Sequence, residues 1–185
     1  MQIQMRSLLL TTLGVFALGT ALIFTSCKQD KCKAVVCAYD GHCNEDGSCS
    51  CEVGYEGERC ETITRAKYKG VWNVTEDGTL SNPANYALSV EDGTNIDEII
   101  IRNINNKSNS QITAKVVRDT MYIANQEFHS SDNQTYTIEG KGYIIPESFY
   151  GLNGKMIVRY KVTNPTGEVN FYGMGGNDNP SVWNK

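Results

Sequence analysis

Two groups of residues in this 185-residue chain have the types and spacing for chemistry: seven cysteines between Cys27 and Cys60, and a run beginning at His129. The cysteines divide as one plus six. Cys27 ends an apolar leader. Cys32, Cys37, Cys43, Cys49, Cys51 and Cys60 follow, separated by four, five, five, one and eight residues. An odd cysteine in an exported chain calls for its own use, and the other six allow fifteen disulfide pairings that spacing alone does not choose. A segment of about 30 residues cannot bury enough apolar surface to fold unaided, so covalent staples are expected there. Zinc is the competing use of clustered thiols. An oxidising compartment and the Cys49-Ser50-Cys51 spacing both disfavour it.

His129, Ser130, Ser131 and Asp132 are neighbours on one polar turn. Adjacent residues do not supply the nucleophile, base and orienting group that hydrolysis brings together. Glu127 and Glu139 form a candidate carboxylate pair, but Glu139 alternates with Ile138 and is expected to face solvent. His42 stands among the cysteines without companion metal ligands. The chain has no Gly-rich phosphate loop, and neither an enzyme, a cofactor nor a metal is expected. Seventeen basic residues face 21 acidic ones, for a net charge of −4. No basic face is concentrated enough to neutralise phosphates, so nucleic acid is not an expected partner.

Three further segments must position whatever these residues do. In the leader, Arg6 is the only charge before Lys28, and Ser7 to Phe24 is an apolar run broken by threonines and glycines. A positive start and an apolar core make a secretory signal over residues 1–26. Thr25-Ser26-Cys27 resembles the lipobox of bacterial lipoproteins, with Phe24 where Leu, Val or Ile is usual. The resemblance implies an acylated Cys27 and attachment to the outer membrane of a Gram-negative cell, on its periplasmic or surface face. One acyl chain binds membranes marginally, whereas the several chains of a lipoprotein cysteine anchor firmly.

Residues 27–31 are then a tether, spanning at most roughly 17 Å between Cys27 and Cys32. Residues 32–61 resemble an EGF-like module. Gly54-Tyr55-Glu56-Gly57-Glu58-Arg59-Cys60 fits that family's Gly-aromatic-x-Gly-x-x-Cys ending. The resemblance implies the pairs Cys32–Cys43, Cys37–Cys49 and Cys51–Cys60. Asp46-Gly47 is a good hairpin turn between Cys43 and Cys49. The calcium-binding variant is not expected, because no aromatic lies between Cys43 and Cys49 despite Asp30 and Asn44.

After a linker at 62–67, period-2 alternation dominates residues 68–185. Eight strands are expected, starting near Gly70, Asn85, Glu98, Gln111, Met121, Thr135, Lys155 and Glu168. Polar turns separate them, which favours an antiparallel meander closed into a barrel. The chain is therefore expected to be mainly β. Gly70-Val71-Trp72 on the first strand resembles the Gly-x-Trp signature of lipocalins, which implies that Trp72 closes one end of the barrel. The expected inward set is bulky and apolar, including Trp72, Leu88, Ile99, Ile112, Tyr136, Met156 and Tyr160.

Function is read from that arrangement. A lipid-anchored extracytoplasmic protein would present, on an EGF-like stalk, a barrel that binds a small apolar ligand or a partner. The alternative is an accessory envelope lipoprotein with a filled barrel that docks another protein. Phe149 and Tyr150 bring apolar groups to a connection where polar ones are usual, and Trp183 lies in a Gly/Asn-rich tail; these three are the candidate ligand or partner contacts. The plainer readings are that Phe149 and Tyr150 fold back over the barrel mouth and that Trp183 plugs one end of the barrel. Asp119-Thr120-Met121 resembles the Asp-Thr-aliphatic acceptor of a periplasmic O-glycosylation system, which would modify Thr120. Its plainer reading is a hairpin turn.

Overall fold

A computed structural model describes residues 30–131, 133–146 and 154–185. Its first unit is small and stapled. Strands β1 (His42–Cys43) and β2 (Cys49–Ser50) form a hairpin in which Cys43 faces Cys49. The turn uses Gly47 at φ 86°, a conformation that favours glycine, and Asp46 accepts from the Ser48 amide and hydroxyl. Strands β3 (Tyr55–Glu56) and β4 (Thr62–Ile63) pair beside it. Disulfides join Cys32 to Cys43, Cys37 to Cys49 and Cys51 to Cys60, the order given above. The stapled unit reaches Ile63, so the first two residues of the linker expected at 62–67 are strand. The other four, Thr64–Lys67, are a 3₁₀ turn.

Beyond it a β-barrel is built from β5 (Gly70–Glu76), β6 (Ala84–Asp92), β7 (Glu98–Arg102), β8 (Gln111–Val117), β9 (Thr120–His129), β10 (Thr135–Ile145) and β11 (Lys155–Thr163). Each pairs antiparallel with the next. Alternation is the reason they are strands. In β11, Met156, Val158, Tyr160 and Val162 are buried while the residues between them are half-buried. One face must leave water, and a period of two satisfies that only in an extended chain. At Gly140, where the β9–β10 register shifts, a Cβ would lie 2.4 Å from the Arg159 carbonyl oxygen and the Tyr160 Cβ. Close backbone approach requires glycine there.

The eighth strand is split. β12 (Val169–Tyr172) pairs with the second half of β11, and β13 (Ser181–Asn184) pairs with its first half and with β5. Residues 173–180 leave the wall between the two pieces. β13 thus closes the barrel, and the segment expected to be a tail is half of its last strand. Inside, side chains from all eight strand positions form one contiguous core that includes Trp72, Leu88, Ile99, Ile101, Ile112, Met121, Phe128 and Met156.

The two units are joined by side chains as well as by the chain. Arg65 Nη1 donates to the carbonyls of Gly93 (2.9 Å), Asn95 (2.7 Å) and Glu98 (3.3 Å), and its Nε meets Asp92 at 2.9 Å. Lys67 Nζ lies 2.8 Å from Glu56 in the stapled unit and 2.7 Å from Asp119 in the barrel. A groove of about 700 Å³ runs along this seam, with Glu56, Lys67 and Asp119 in its walls. Among the described residues no helix is long and apolar enough to cross a membrane.

Candidate functional site

The two ends of the barrel differ. At the end next to the stapled unit, Trp72 is fully buried and its Nε1 donates to the Tyr68 carbonyl at 2.7 Å. Tyr68, also fully buried, donates its hydroxyl to the Arg118 carbonyl, and Lys185 Nζ sits 4.7 Å from the centre of the Trp72 ring. Burial holds the Lys185 amine below its ordinary value. This end is sealed.

The opposite end carries the connections 77–83, 103–110, 130–134 and 164–168. A recess of about 340 Å³ opens there, lined by Glu76, Ser81, Asn105, Lys107, Tyr136 and Tyr172 among others. Glu76 is the last residue of β5, and the Trp72–Val74–Glu76 alternation turns its carboxylate inward, where it is 5% exposed. Oε1 accepts from Tyr86 at 2.9 Å and Asn105 at 3.3 Å; Oε2 accepts from Tyr160 at 2.6 Å and Ser181 at 2.8 Å. Around it, Tyr172 stacks on Tyr160 at 4.5 Å and its hydroxyl meets Asn105, Asn170 and Ser81. Burial, then the adjacent Glu76 charge, raises the Tyr86 hydroxyl pKa well above its usual value. Burial, the neighbouring Tyr86 hydroxyl and the Glu76 charge do the same for Tyr160. Both are therefore fixed donors at neutral pH. Above this network, Lys107 Nζ lies over the Tyr136 ring at 4.7 Å.

The residues singled out in the sequence fall elsewhere. Cys27, Phe149 and Tyr150 lie outside the described residues, as does Asp132. The strands flanking Phe149 and Tyr150, β10 and β11, face each other at Ile145 and Lys155, at the sealed end. Trp183 is corrected: it is completely buried in β13, donates to Ser181 Oγ at 2.9 Å, and so belongs to the core rather than to a contact surface. Thr120 is half-buried as the first residue of β9, paired with Val117 across a two-residue turn and with Tyr143 on β10. His129 Nδ1 meets Thr135 Oγ1 at 3.1 Å across the β9–β10 ladder. Glu139 is held by Lys161 and Asn125. Exposed His42 lies on β1.

Sequence reasoning missed Glu76 and Asn105. For Glu76 a signal existed, since a charged residue on the inward parity of a strand is an exception that demands partners. Asn105 gave none. Its contacts lie 29 to 67 residues away in the chain.

No family model and no curated protein matches the chain. Among solved structures, a redesigned β-barrel aligns with a TM-score of 0.41 at 10% identity, over 66% of this chain and 94% of its own. The barrel assignment rests on the chain's own strand pairing.

Proposed function

We propose that the protein is a lipid-anchored extracytoplasmic binding protein, fixed by Cys27, spaced from the membrane by an EGF-like module, and taking a small polar ligand at the open end of its barrel. The observation that carries this reading is the asymmetry of the two ends. One is sealed by Tyr68, Trp72 and Lys185 against the stapled unit, and the other is a polar recess floored by buried Glu76. Because the stapled unit is at the sealed end, anchoring through Cys27 would turn the recess away from the membrane. The expected apolar ligand gives way to a polar one, since the inward side chains already pack into one core. Buried polar groups at the floor of a recess are the usual devices of specificity.

A second reading, docking to another envelope protein, is favoured by Val117, Tyr122, Tyr143 and Ile145. These large apolar residues are exposed on the outer face of β8–β10. Native mass spectrometry of protein purified from its own membranes separates the two. A reproducible small-molecule mass that Glu76→Gln abolishes supports carriage. A co-purifying protein and a ligand-free barrel support docking. Separately, Cys27→Ala is expected to release the protein from membranes, and retention there refutes the anchor.

A further inference from the structure

The environment of Asn105 deepens the reading of the open end as a ligand site, and rests on it. Asn105 Nδ2 meets three oxygens: Tyr172 Oη at 2.8 Å, Tyr160 Oη at 3.3 Å and Glu76 Oε1 at 3.3 Å. An amide nitrogen carries two hydrogens, so the acceptors outnumber the donors. Two of the three contacts are correspondingly long. All four partners of the Glu76 carboxylate, namely Tyr86, Tyr160, Ser181 and Asn105, are neutral. No cation among the described residues lies within ion-pair distance of it. A buried carboxylate is costly without an opposite charge.

The other charged groups of the recess are engaged elsewhere. Lys107 lies over Tyr136, and Glu168 accepts from Asn164 and Thr166. The segment carrying Asn105 is also unusual. Asn103, Asn105, Asn106 and Asn109 all have positive φ, between 51° and 64°. Asparagine tolerates that region better than most residues, but it remains less favourable than the ordinary right-handed one.

We propose that the open end of the barrel binds a primary ammonium group, which displaces Asn105 Nδ2 and pairs with Glu76, Tyr160 and Tyr172. A –NH₃⁺ group has three donors, one for each oxygen, and brings the charge that the carboxylate lacks. Asn105 is then an internal stand-in that caps the site when it is empty. A recess of about 340 Å³ limits the ligand to a small amine or to the amine end of a larger one. Quaternary ammonium is excluded as a good ligand. It has no N–H to give, and the Tyr172 ring is already stacked on Tyr160.

The test is a titration of the full-length protein in detergent micelles, followed by the indole N–H resonances of its two tryptophans. Trp183 donates to Ser181, which donates to Glu76, so its indole reports on the site. Trp72, bonded to Tyr68 at the sealed end, is the internal control. Putrescine is expected to shift Trp183 saturably and leave Trp72 in place, with 1,4-butanediol and tetramethylammonium at least tenfold weaker. Glu76→Gln should weaken putrescine at least tenfold. Asn105→Gly should tighten it several-fold, because the competitor is gone and glycine accepts the positive φ.

Putrescine and butanediol binding alike would overturn the ammonium proposal while leaving a polar ligand site. No shift of any residue around the recess with any probe would overturn both readings. Unchanged or weaker putrescine binding by Asn105→Gly refutes the displacement step, and decides the matter by itself if Glu76→Gln fails to fold.

Discussion

Truncating Trp183 tests whether the barrel closes as described. Its indole is completely buried between β5 and β11, opposite Val74 and Met156, and donates to Ser181. Replacing a buried tryptophan by alanine costs about 3–5 kcal/mol, from lost transfer energy and the cavity left behind. Residues 68–185, at about 0.05–0.15 kcal/mol per residue, hold roughly 6–18 kcal/mol in all. Trp183→Ala should therefore remain folded but much weakened. With a urea dependence of about 2 kcal/mol per molar, the unfolding midpoint should fall by roughly 1.5–2.5 M. Trp72 is then the single remaining tryptophan, and its fluorescence follows unfolding from the neighbouring strand β5. Trp183→Phe should lose less than half as much, because the ring still fills most of the space. A midpoint lowered by less than about 0.3 M would refute the reasoning, since Trp183 would then not be part of the packed wall.

Two further outcomes follow from local geometry. Gly140→Ala should cost about 1–3 kcal/mol through overpacking against Arg159 and Tyr160, seen as a lower Tm by circular dichroism, and an unchanged Tm would contradict the close β10–β11 approach. The Glu139 carboxyl is held below its ordinary value of 4.5 by Lys161, 2.8 Å away, and by Asn125. A depressed folded pKa stabilises the fold above the unfolded value, and that contribution is lost as pH falls through the folded one. An NMR titration should place the Glu139 midpoint below 4.5, and Lys161→Met should move it up; no movement would show that the pair does not act in solution.

Much of the barrel was legible because burying one face of a strand imposes alternation, and alternation survives in the sequence. The strand starts expected at Gly70, Glu98, Gln111, Thr135 and Lys155 coincide with the observed ones, and the other three fall within a residue. The split eighth strand was not legible. Its closing piece is four residues long, Ser181–Asn184, and follows a Gly/Asn-rich excursion that reads as a tail. A four-residue period cannot be told from chance; what defines β13 is its pairing with strands far away in the chain. The same reason hid the site. Glu76 makes sense only with Ser181, 105 residues away, and Tyr160, 84 residues away. The disulfide order was legible only through a resemblance, because spacing leaves fifteen pairings open.

The Arg65 and Lys67 contacts have a mechanical consequence. A peptide link alone would act as a leash, letting the barrel swing through a wide cone about the stapled unit. Here one guanidinium grips three carbonyls of the 93–98 turn, and one ammonium bridges Glu56 to Asp119. A pull on the chain at residue 30 is shared among these bonds before the connection at 64–67 is stretched. Torque is transmitted with it, so turning the stapled unit also turns the barrel. The direction in which the recess points is set relative to the stapled unit by these contacts and by Gly54 packing on Ile96.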